Sequence, residues 1–232
     1  MEFDEGRAAG ILLAGGKGSR ARFSGNKAFV DVGGSPMISH SLKTLDRSPW
    51  VVELVMVIRP QDRGMAEEVV AGSEITTPWR MVTGGRSRHR SEFHGLEALS
   101  DRIRDGQLDL VAIHDAARPF LSSSLLETLF RDAHLHGGAV PTMTLEAPVF
   151  SVSDDGDLVA LGQDRLHRAQ TPQVFRAPEL VAAYHRAREA GFEGVDTAET
   201  VSRFSDLTTR AVPGDPANVK LTFPEDFRTQ DT

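Results

Sequence analysis

The sequence contains no cysteine. Disulfide bonds, thiol catalysis and cysteine-ligated zinc sites are therefore excluded, which fits a cytoplasmic protein. A long hydrophobic run near the start of the chain is also missing. Residues 1–7 are acidic and polar, and the apolar run from Ile11 to Ala14 is far shorter than the roughly 20 residues that a membrane span needs. We expect a cytoplasmic protein with neither an export signal nor a membrane anchor.

An excess of basic residues is missing as well. The chain has 33 Asp and Glu residues against 26 Lys and Arg residues, for a formal net charge of -7. General nucleic-acid and anionic-membrane surfaces rely on a broad excess of Lys and Arg that displaces counterions. We therefore expect no nucleic-acid partner and no membrane partner, and any anion that the protein binds has to be held by a local cluster of cations.

Apolar runs alternate with amphipathic stretches in the first half of the chain, which predicts a doubly wound α/β fold with a parallel sheet. The 232 residues, 40% of them hydrophobic, suffice for one substantial core, so we expect a single domain over residues 1–232. The predicted strands cover residues 8–14, 51–58 and 108–113. The predicted helices cover residues 36–45, 61–70, 91–104 and 122–134.

The second half begins with a change of pattern. Residues 137–161 are rich in Val, Thr, Phe and Ser, and Asp154-Asp155-Gly156 is a turn signal between two short extended segments. This pattern predicts a hairpin arm. Beyond it we predict helices at residues 178–190 and 197–204, a turn at Val212-Pro213-Gly214 and a last helix from Pro224.

The first strand runs directly into a glycine-rich loop, Gly15-Gly16-Lys17-Gly18-Ser19-Arg20. Glycines leave the backbone N–H groups uncovered, so these groups can approach phosphate oxygens. Arg20 and Lys27 lie just downstream, where their charges can neutralise a triphosphate as it passes through its transition state. The loop therefore predicts a polyphosphate site, and a glycine turn without a ligand remains the alternative.

Two commoner loop motifs fit less well. A Walker A loop requires Ser or Thr after its Gly-Lys pair, but Gly18 follows Gly16-Lys17 here. The spacing Gly16-x-Gly18-x-x-Ala21 satisfies a degenerate dinucleotide fingerprint. However, Ser24-Gly25-Asn26 interrupts the helix that this fingerprint needs, and residues 36–43 lack its acid. A dinucleotide-dependent dehydrogenase is therefore a distant alternative.

Five sequence blocks occur together in the order and spacing of one known family. They are Leu13-Ala14-Gly15-Gly16-x-Gly18-x-Arg20, Gly84-Gly85-x-x-Arg88-x-x-Ser91, His114-Asp115-Ala116-Ala117-Arg118-Pro119, Ala169-Gln170-Thr171-Pro172-Gln173-x-Phe175 and Asn218-Val219-Lys220-Leu221-Thr222-x-Pro224-Glu225-Asp226. On these blocks the protein resembles the 2-C-methyl-D-erythritol 4-phosphate cytidylyltransferases of the non-mevalonate isoprenoid pathway. The resemblance covers nearly the whole chain and implies a Rossmann-like fold and a nucleotidyltransferase that uses CTP.

The resemblance also implies roles for individual residues. The nucleotide-binding residues would be Ala14, Gly15, Gly16, Gly18, Ser19, Gly85 and Ser91, with the cytosine base near the first and the last two. The catalytic cations around the phosphates would be Arg20, Lys27 and Lys220. The acceptor-binding residues would be Arg118, Arg165, Thr171 and Asp196. Asp115 would hold Mg²⁺, although a carboxylate in this place can also cap a helix or pair with Arg118.

The implied reaction needs little covalent chemistry from the protein. The acceptor's phosphate oxygen is already anionic, so its in-line attack on the α-phosphorus of CTP requires no general base and no covalent intermediate. Catalysis then consists of positioning and of stabilising charge. The resemblance further implies that the segment from Thr142 to Leu161 is an arm that crosses to a second subunit of a homodimer. Taken alone, the segment fits an ordinary edge hairpin equally well.

Three departures from the family pattern concern the acceptor side or its border. Asn26-Lys27-Ala28 stands where the family has Pro-Lys-Gln, and Ala147-Pro148 stands where the family has Asp-Thr. Val195-Asp196-Thr197-Ala198 lacks the second acid that follows the family's Asp. The segment before Arg165 is also about two residues short. The acceptor therefore stays open between methylerythritol phosphate and ribitol 5-phosphate or another polyol phosphate, and a non-catalytic nucleotide-binding regulatory protein is the alternative of another class.

The histidines carry no predicted role. The eight histidines show no metal-ligand spacing. We expect five of them at the surface: His89, His94, His134, His136 and His167.

Overall fold

The computed structural model describes residues 7–16, 25–161 and 166–228. Its strands are Ala8–Leu13 (β1), Asp31–Val32 (β2), Ser35–Pro36 (β3), Val51–Ile58 (β4), Trp79–Thr83 (β5), Leu110–Asp115 (β6), Gly137–Thr144 (β7), Val149–Val152 (β8), Leu158–Leu161 (β9), His167–Ala169 (β10), Gln173–Arg176 (β11) and Thr208–Pro213 (β12). Its helices are Met37–Asp46 (α1), Arg63–Ser73 (α2), Arg88–Glu97 (α3), Ser100–Arg104 (α4), Ser123–His136 (α5), Ala177–Glu189 (α6), Thr197–Phe204 (α7) and Pro224–Arg228 (α8). Short 3-10 turns cover Lys27–Phe29 and Pro60–Asp62.

The central sheet has the strand order β10-β7-β11-β6-β1-β4-β5, and β12 also pairs with β7. Strand β1 is parallel to both of its neighbours, β4 and β6, and β4 is parallel to β5. Strand β11 is antiparallel to β6 and β7, and β10 is antiparallel to β7. The predicted α/β class with a mostly parallel sheet is confirmed.

Both faces of the central strands are buried, because helices cover each side of the sheet. Successive side chains of a strand point to opposite faces. Leu12 accordingly joins the hydrophobic cluster that contains Leu42 of α1 and Phe130 of α5. Ile11 joins the opposite cluster, which contains Leu96 of α3. Each such buried side chain contributes roughly 1.5–3 kcal/mol, and together they hold the end of β1 rigidly in the middle of the sheet.

Several element predictions were wrong at their boundaries. The helix predicted at residues 91–104 is two helices, α3 and α4, and α3 begins at Arg88 because the Ser87 side chain accepts a hydrogen bond from the Arg90 N–H (3.1 Å). The predicted strand at 108–113 runs from Leu110 to Asp115. Val212-Pro213 belongs to strand β12, not to a turn, because pairing with β7 supplies its hydrogen-bond partners. Periodicity within one segment does not show these tertiary contacts.

The hairpin arm is shorter than predicted. Strands β8 and β9 form an antiparallel pair, and the predicted turn at Asp154 and Asp155 joins them. The segment from Thr142 to Thr144 belongs instead to the central sheet, because it is the end of β7 and pairs with β10. The arm therefore begins only after the sheet strand ends.

The surface prediction for the histidines holds for four residues and fails for one. His94, His134, His136 and His167 are exposed. His89 is only 4% exposed, and its ring stacks on Tyr184 with ring centroids 4.7 Å apart. Its Nδ1 accepts a hydrogen bond from the Gly194 N–H (3.3 Å). These partners are distant in sequence, which is why its spacing alone suggested a surface residue.

No helix in the ranges that the structure describes is long and apolar enough to cross a membrane.

Candidate active site

The predicted site residues collect at one edge of the sheet, where parallel strands end. Residues 14–16 follow β1, Gly84 follows β5, and Asp115 is the last residue of β6. The Ala14 N–H donates to Val57 O (2.8 Å) and the Gly84 N–H donates to Ile58 O (2.8 Å), so both loops are fastened to the end of β4. In open α/β sheets the ligand crevice lies beyond the carboxyl ends of the strands. The predicted position of the site is therefore the one that the fold provides.

The two glycine loops meet around Ser91 on helix α3. A Cβ atom added to Gly15 would lie 3.9 Å from both Gly84 Cα and Ser91 Oγ. Ser91 Oγ accepts from the Gly85 N–H (3.0 Å) and donates to Ser87 O (2.9 Å). A Cβ atom on Gly85 would lie only 2.4 Å from Arg90 Cβ. The structure thus brings together the residues expected near the base, and Ser91 holds the second loop in shape.

Asp115 carries the central charge of the site. Lys220 Nζ donates to Asp115 Oδ2 (2.7 Å), and Arg88 Nε donates to Asp115 Oδ1 (3.1 Å). Burial by itself raises the pKa of Asp115, but Arg88 and Lys220 together hold that pKa well below its usual range. The carboxylate is therefore ionised at neutral pH. The pairing with Arg118 that was considered from the sequence is not formed between the described side chains, and Arg88 takes that place.

The other cations of the site donate hydrogen bonds to the segment 218–221. Lys27 Nζ donates to Leu221 O (2.7 Å), and Arg118 Nη1 donates to Asn218 O (2.8 Å). Leu221 N–H in turn donates to Ala117 O (2.8 Å). Lys220 lies inside this segment. Lys27, Arg118, Lys220 and Asp115 therefore converge on one end of the sheet, although they are widely separated in sequence.

The departure at Asn26 has a structural explanation. Asn26 Nδ2 donates to Ala14 O (2.6 Å) and to Asp62 Oδ2 (2.7 Å), and its Oδ1 accepts from the Ala28 N–H (3.1 Å). Asp62 is in turn paired with Arg59 (2.6 Å). The asparagine thus ties the turn that carries Lys27 to the ends of β1 and β4. Sequence reasoning did not identify this role, and only the Asn preference for turn caps hinted at it.

Thr171 acts on the site through Asp115. Its hydroxyl accepts from the Asp115 N–H (3.0 Å) and lies 3.0 Å from His114 Nδ1. His114 Nε2 lies 3.0 Å from Arg118 O, an acceptor, so Nε2 carries the proton and Nδ1 accepts from Thr171. Burial lowers the pKa of His114 to about 4, which keeps the ring neutral. The buried His-Thr pair fixes the backbone that presents Asp115.

The remaining residues of the Gln170 to Gln173 block anchor neighbouring segments through their side chains. Gln170 Nε2 donates to Asp215 O (2.8 Å), and Gln173 Nε2 donates to Asp196 Oδ2 (2.9 Å). Asp196 also caps helix α7, because its Oδ1 accepts from the Glu199 N–H (2.9 Å). Asp196 thus has a structural role in addition to the acceptor contact expected of it.

Thr197 occupies the place of the second acid expected after Asp196. A carboxylate nevertheless faces it: Thr197 Oγ1 donates to Glu92 Oε1 (2.5 Å), a side chain of helix α3. The same Oε1 accepts from Arg88 Nη1 (2.5 Å). Sequence reasoning assigned no role to Glu92 or Arg88, although Arg88 belongs to one of the five family blocks. Their i, i+4 contact became visible only because helix α3 begins at Arg88.

Four of the expected site residues lie outside the described residues: Gly18, Ser19, Arg20 and Arg165. Their assignments stay predictions.

The residues present are compatible with Mg²⁺. The described ranges contain no group of three or more His, Asp or Glu side chains that could hold a metal ion, so no cage made of protein groups exists there. Mg²⁺ typically needs only one or two carboxylates, because substrate phosphates and water complete its octahedron. Asp115 can supply one such carboxylate, and the donor set fits a metal that arrives with a polyphosphate.

Comparison with known proteins decides the family. The family model described as "IspD: 2-C-methyl-D-erythritol 4-phosphate cytidylyltransferase" matches residues 8–232. The chain belongs to the IspD family. The resemblance seen in the five sequence blocks is therefore confirmed.

Individual IspD relatives agree with this assignment. The chain is 36% identical to the 2-C-methyl-D-erythritol 4-phosphate cytidylyltransferase of Geobacillus thermodenitrificans, over 94% of this chain and 92% of that protein. It is also 36% identical to the bifunctional enzyme IspD/IspF of Bradyrhizobium diazoefficiens, but it spans only 54% of that protein's length. The crystal structure of 4-diphosphocytidyl-2C-methyl-D-erythritol synthase from Anaerococcus prevotii superposes with a TM-score of 0.85 at 26% identity, covering 98% of both chains.

Proposed function

We propose that this chain is a cytidylyltransferase that transfers CMP from CTP to 2-C-methyl-D-erythritol 4-phosphate, with release of pyrophosphate, in isoprenoid precursor biosynthesis. The observation that carries the proposal is the convergence of Lys27, Lys220 and Asp115 beside the glycine loops at the ends of the parallel strands. Membership of the IspD family supports the same activity. We propose the cytoplasm as the place of this reaction, as the absence of cysteine led us to expect.

The chain's own groups would act by positioning and by charge. The two glycine loops, residues 14–16 and 84–85, would hold the nucleotide, and Lys27 and Lys220 would stabilise the charge that grows on the α-phosphoryl oxygens. Arg118 would orient the acceptor phosphate for in-line attack. The phosphate oxygen of the acceptor forms the new bond to the α-phosphorus, and the bond to the departing pyrophosphate breaks. No proton has to be moved at the reacting atoms.

Asp115 is the residue that we propose as the protein ligand of Mg²⁺. Its carboxylate is ionised and partly accessible, with a side-chain exposure of 11%. The metal ion, when bound, supplies positive charge that offsets the charge of the triphosphate and of the leaving pyrophosphate. Lys220 and Arg88 keep the Asp115 carboxylate ionised before a metal ion binds.

We also propose a homodimer, held by the hairpin of β8 and β9. Five large apolar side chains of this hairpin are exposed, by 40% to 66%: Phe150, Val152, Leu158, Val159 and Leu161. By the register of the hairpin, Phe150, Val152 and Leu158 share one face, and Val159 and Leu161 share the other. Exposed apolar surface of this kind is typical of an interaction site. A second copy of the chain is the occupant that the family resemblance suggests.

The acceptor has one specific competitor. Ala147-Pro148 stands where the family pattern has Asp-Thr, so one donor to methylerythritol phosphate is missing. Ribitol 5-phosphate or another polyol phosphate is therefore the second candidate acceptor. Both candidates use the same nucleotide machinery, and they differ only in the contacts on the acceptor side.

The test is a pyrophosphate-release assay with Mg²⁺ in which CTP, UTP and ATP are each combined with methylerythritol phosphate and with ribitol 5-phosphate. We expect turnover with CTP and methylerythritol phosphate. Turnover with ribitol 5-phosphate alone would transfer the proposal to the second acceptor. CTP binding without turnover in any combination would favour the regulatory protein instead.

Two lysine variants connect this assay to the site. Lys27→Ala should abolish most of the turnover while the protein stays folded. Lys43→Ala is the matched control, because it removes the same charge from helix α1, which carries none of the proposed site residues. Full activity of Lys27→Ala would remove this lysine from the mechanism.

A further inference from the structure

A buried charged cluster lies directly behind Asp115. Glu92 is completely buried, and three groups donate to its carboxylate: Arg88 Nη1 at 2.5 Å, Thr197 Oγ1 at 2.5 Å and Tyr184 Oη at 2.8 Å. Burial raises the pKa of Glu92, while Arg88 and the two hydroxyl groups act in the opposite direction. Buried polar groups need hydrogen-bond partners, and the three donors satisfy the Glu92 carboxylate and fix its position.

Arg88 connects this cluster to the site. Its Nη1 contacts Glu92 and its Nε contacts Asp115 (3.1 Å), so one guanidinium group joins two carboxylates. The guanidinium is planar and its donors form a rigid fork, so a contact at one end fixes the direction of the other. Arg88 and Glu92 are also four residues apart on α3, a spacing that brings their side chains together on one face of the helix.

The charges of the cluster balance. Asp115 and Glu92 each contribute one negative charge, and Arg88 and Lys220 each contribute one positive charge. Without the charge of Glu92, these four groups would together carry a net positive charge next to the proposed metal ligand. A net positive charge attracts an anionic triphosphate and repels a divalent cation.

We propose that Glu92 is a positioning residue that holds Arg88 against Asp115 and balances its charge, so that the nucleotide enters this site together with a divalent cation. The inference rests on the proposed function, because it assumes that the site binds CTP. Glu92 touches neither substrate nor metal and acts only through Arg88. The identity of the residue at position 92 thereby sets how strongly CTP binding depends on Mg²⁺.

The matched control is Glu53, a second buried carboxylate paired with two arginines. Its side chain is 3% exposed, and it contacts Arg102 (2.5 Å) and Arg80. Glu53 lies at the beginning of β4, at the end of the sheet opposite to the site. Glu53→Gln therefore removes the same kind of ion pair without touching the cluster at Asp115.

The experiment is isothermal titration calorimetry of CTP into the wild type, Glu92→Gln and Glu53→Gln, first with EDTA and then with saturating Mg²⁺. For Glu92→Gln we expect CTP affinity in EDTA to rise about tenfold, the effect of one unit charge at roughly 10 Å and an effective dielectric constant near 20. The gain in affinity on adding Mg²⁺ should fall by a similar factor. Glu53→Gln should leave both affinities at the wild-type values.

A second variant separates charge balance from damage to the fold. Arg88→Met combined with Glu92→Leu removes both charges of the pair, and replacement of a buried ion pair by apolar residues is often tolerated. This double variant should return the CTP affinity in EDTA to the wild-type value, while its turnover should fall below that of the wild type because Asp115 has lost its arginine. It also keeps the proposal testable if Glu92→Gln does not fold.

The outcomes are distinct. Unchanged affinity of Glu92→Gln in both conditions, or weaker binding in both, would overturn the proposal, since the second result is what a merely structural role produces. Failure of the double variant to restore the affinity in EDTA would also overturn it. A wild-type protein that binds no CTP under either condition would contradict the proposed function itself.

Discussion

Lys220 Nζ lies 2.7 Å from Asp115 Oδ2, although the two residues are 105 positions apart in the sequence. The contact joins the last residue of strand β6 to the segment that precedes helix α8. Because the segment also accepts hydrogen bonds from Lys27 and Arg118, it closes the site around a single carboxylate. The consequences of this arrangement can be measured.

Lys220→Met should reduce kcat by about 100- to 1000-fold, because it removes one donor to charge that develops in the transition state. Steady-state assays of pyrophosphate release measure the loss, and circular dichroism checks that the fold is retained. Lys43→Met, with the same change of side chain on helix α1, should keep wild-type turnover. A folded Lys220→Met protein with wild-type kcat would exclude this lysine from the chemistry.

Gly85→Ala should weaken CTP binding strongly. The added Cβ atom would lie 2.4 Å from Arg90 Cβ and 3.0 Å from Arg90 C, so the loop or helix α3 has to move at a cost of roughly 1–3 kcal/mol. Denaturant unfolding and calorimetric CTP binding measure the two effects. Gly72→Ala in helix α2 is the control: its Cβ atom meets nothing within 4 Å, and the change should slightly increase stability. Equal CTP affinity in Gly85→Ala and the wild type would contradict the prediction that a side chain at position 85 collides with Arg90.

The stability of the protein should fall as the pH drops from about 6.5 toward 4. Burial lowers the pKa of His114 to about 4 from the ordinary 6.5, so the unfolded chain binds a proton in this range and the folded chain does not. The stabilising contribution of the neutral His114 ring is fully present above pH 6.5. Its complete loss lowers the free energy of unfolding by about 3 kcal/mol.

The measurement is the free energy of unfolding in urea at pH 7 and at pH 4.5. His114→Gln keeps a donor for Arg118 O but cannot titrate, so its stability should change less between the two pH values. The pKa of His89 is also lowered, mainly by burial, and accounts for a part of the remaining change. An identical pH dependence in His114→Gln and the wild type would show that His114 is not buried as a neutral ring.

Val152→Asp together with Leu158→Asp should convert the proposed dimer into monomers. Both side chains are 66% exposed on the hairpin, and a charge in an apolar interface has to be desolvated on association. Light scattering after size-exclusion chromatography gives the mass in solution. Leu135→Asp places the same charge at an exposed leucine of helix α5 and should leave the mass unchanged. A wild-type protein that is itself monomeric would refute the homodimer.

Sequence patterns within a few neighbouring residues were enough to predict some of the strands and helices. Strand β4 was predicted at its observed bounds, because a nearly unbroken aliphatic run is visible in the sequence, and helix α7 was predicted at residues 197–204 as observed. The glycines after β1 likewise pointed to the edge of the sheet where the site lies. Family-specific blocks likewise predicted Asp115 and Lys220 as residues of the site.

The sequence by itself determined the fold class, the family and the residue types of the site. Tertiary structure alone decided which of these residues are partners: Arg88, not Arg118, pairs with Asp115, and Glu92 meets Thr197 across 105 positions of the chain. The physical reason is the distance along the sequence between the interacting residues. Helix and strand patterns report interactions between near neighbours, whereas a buried charge takes whichever partner the packing of distant elements brings within hydrogen-bond distance.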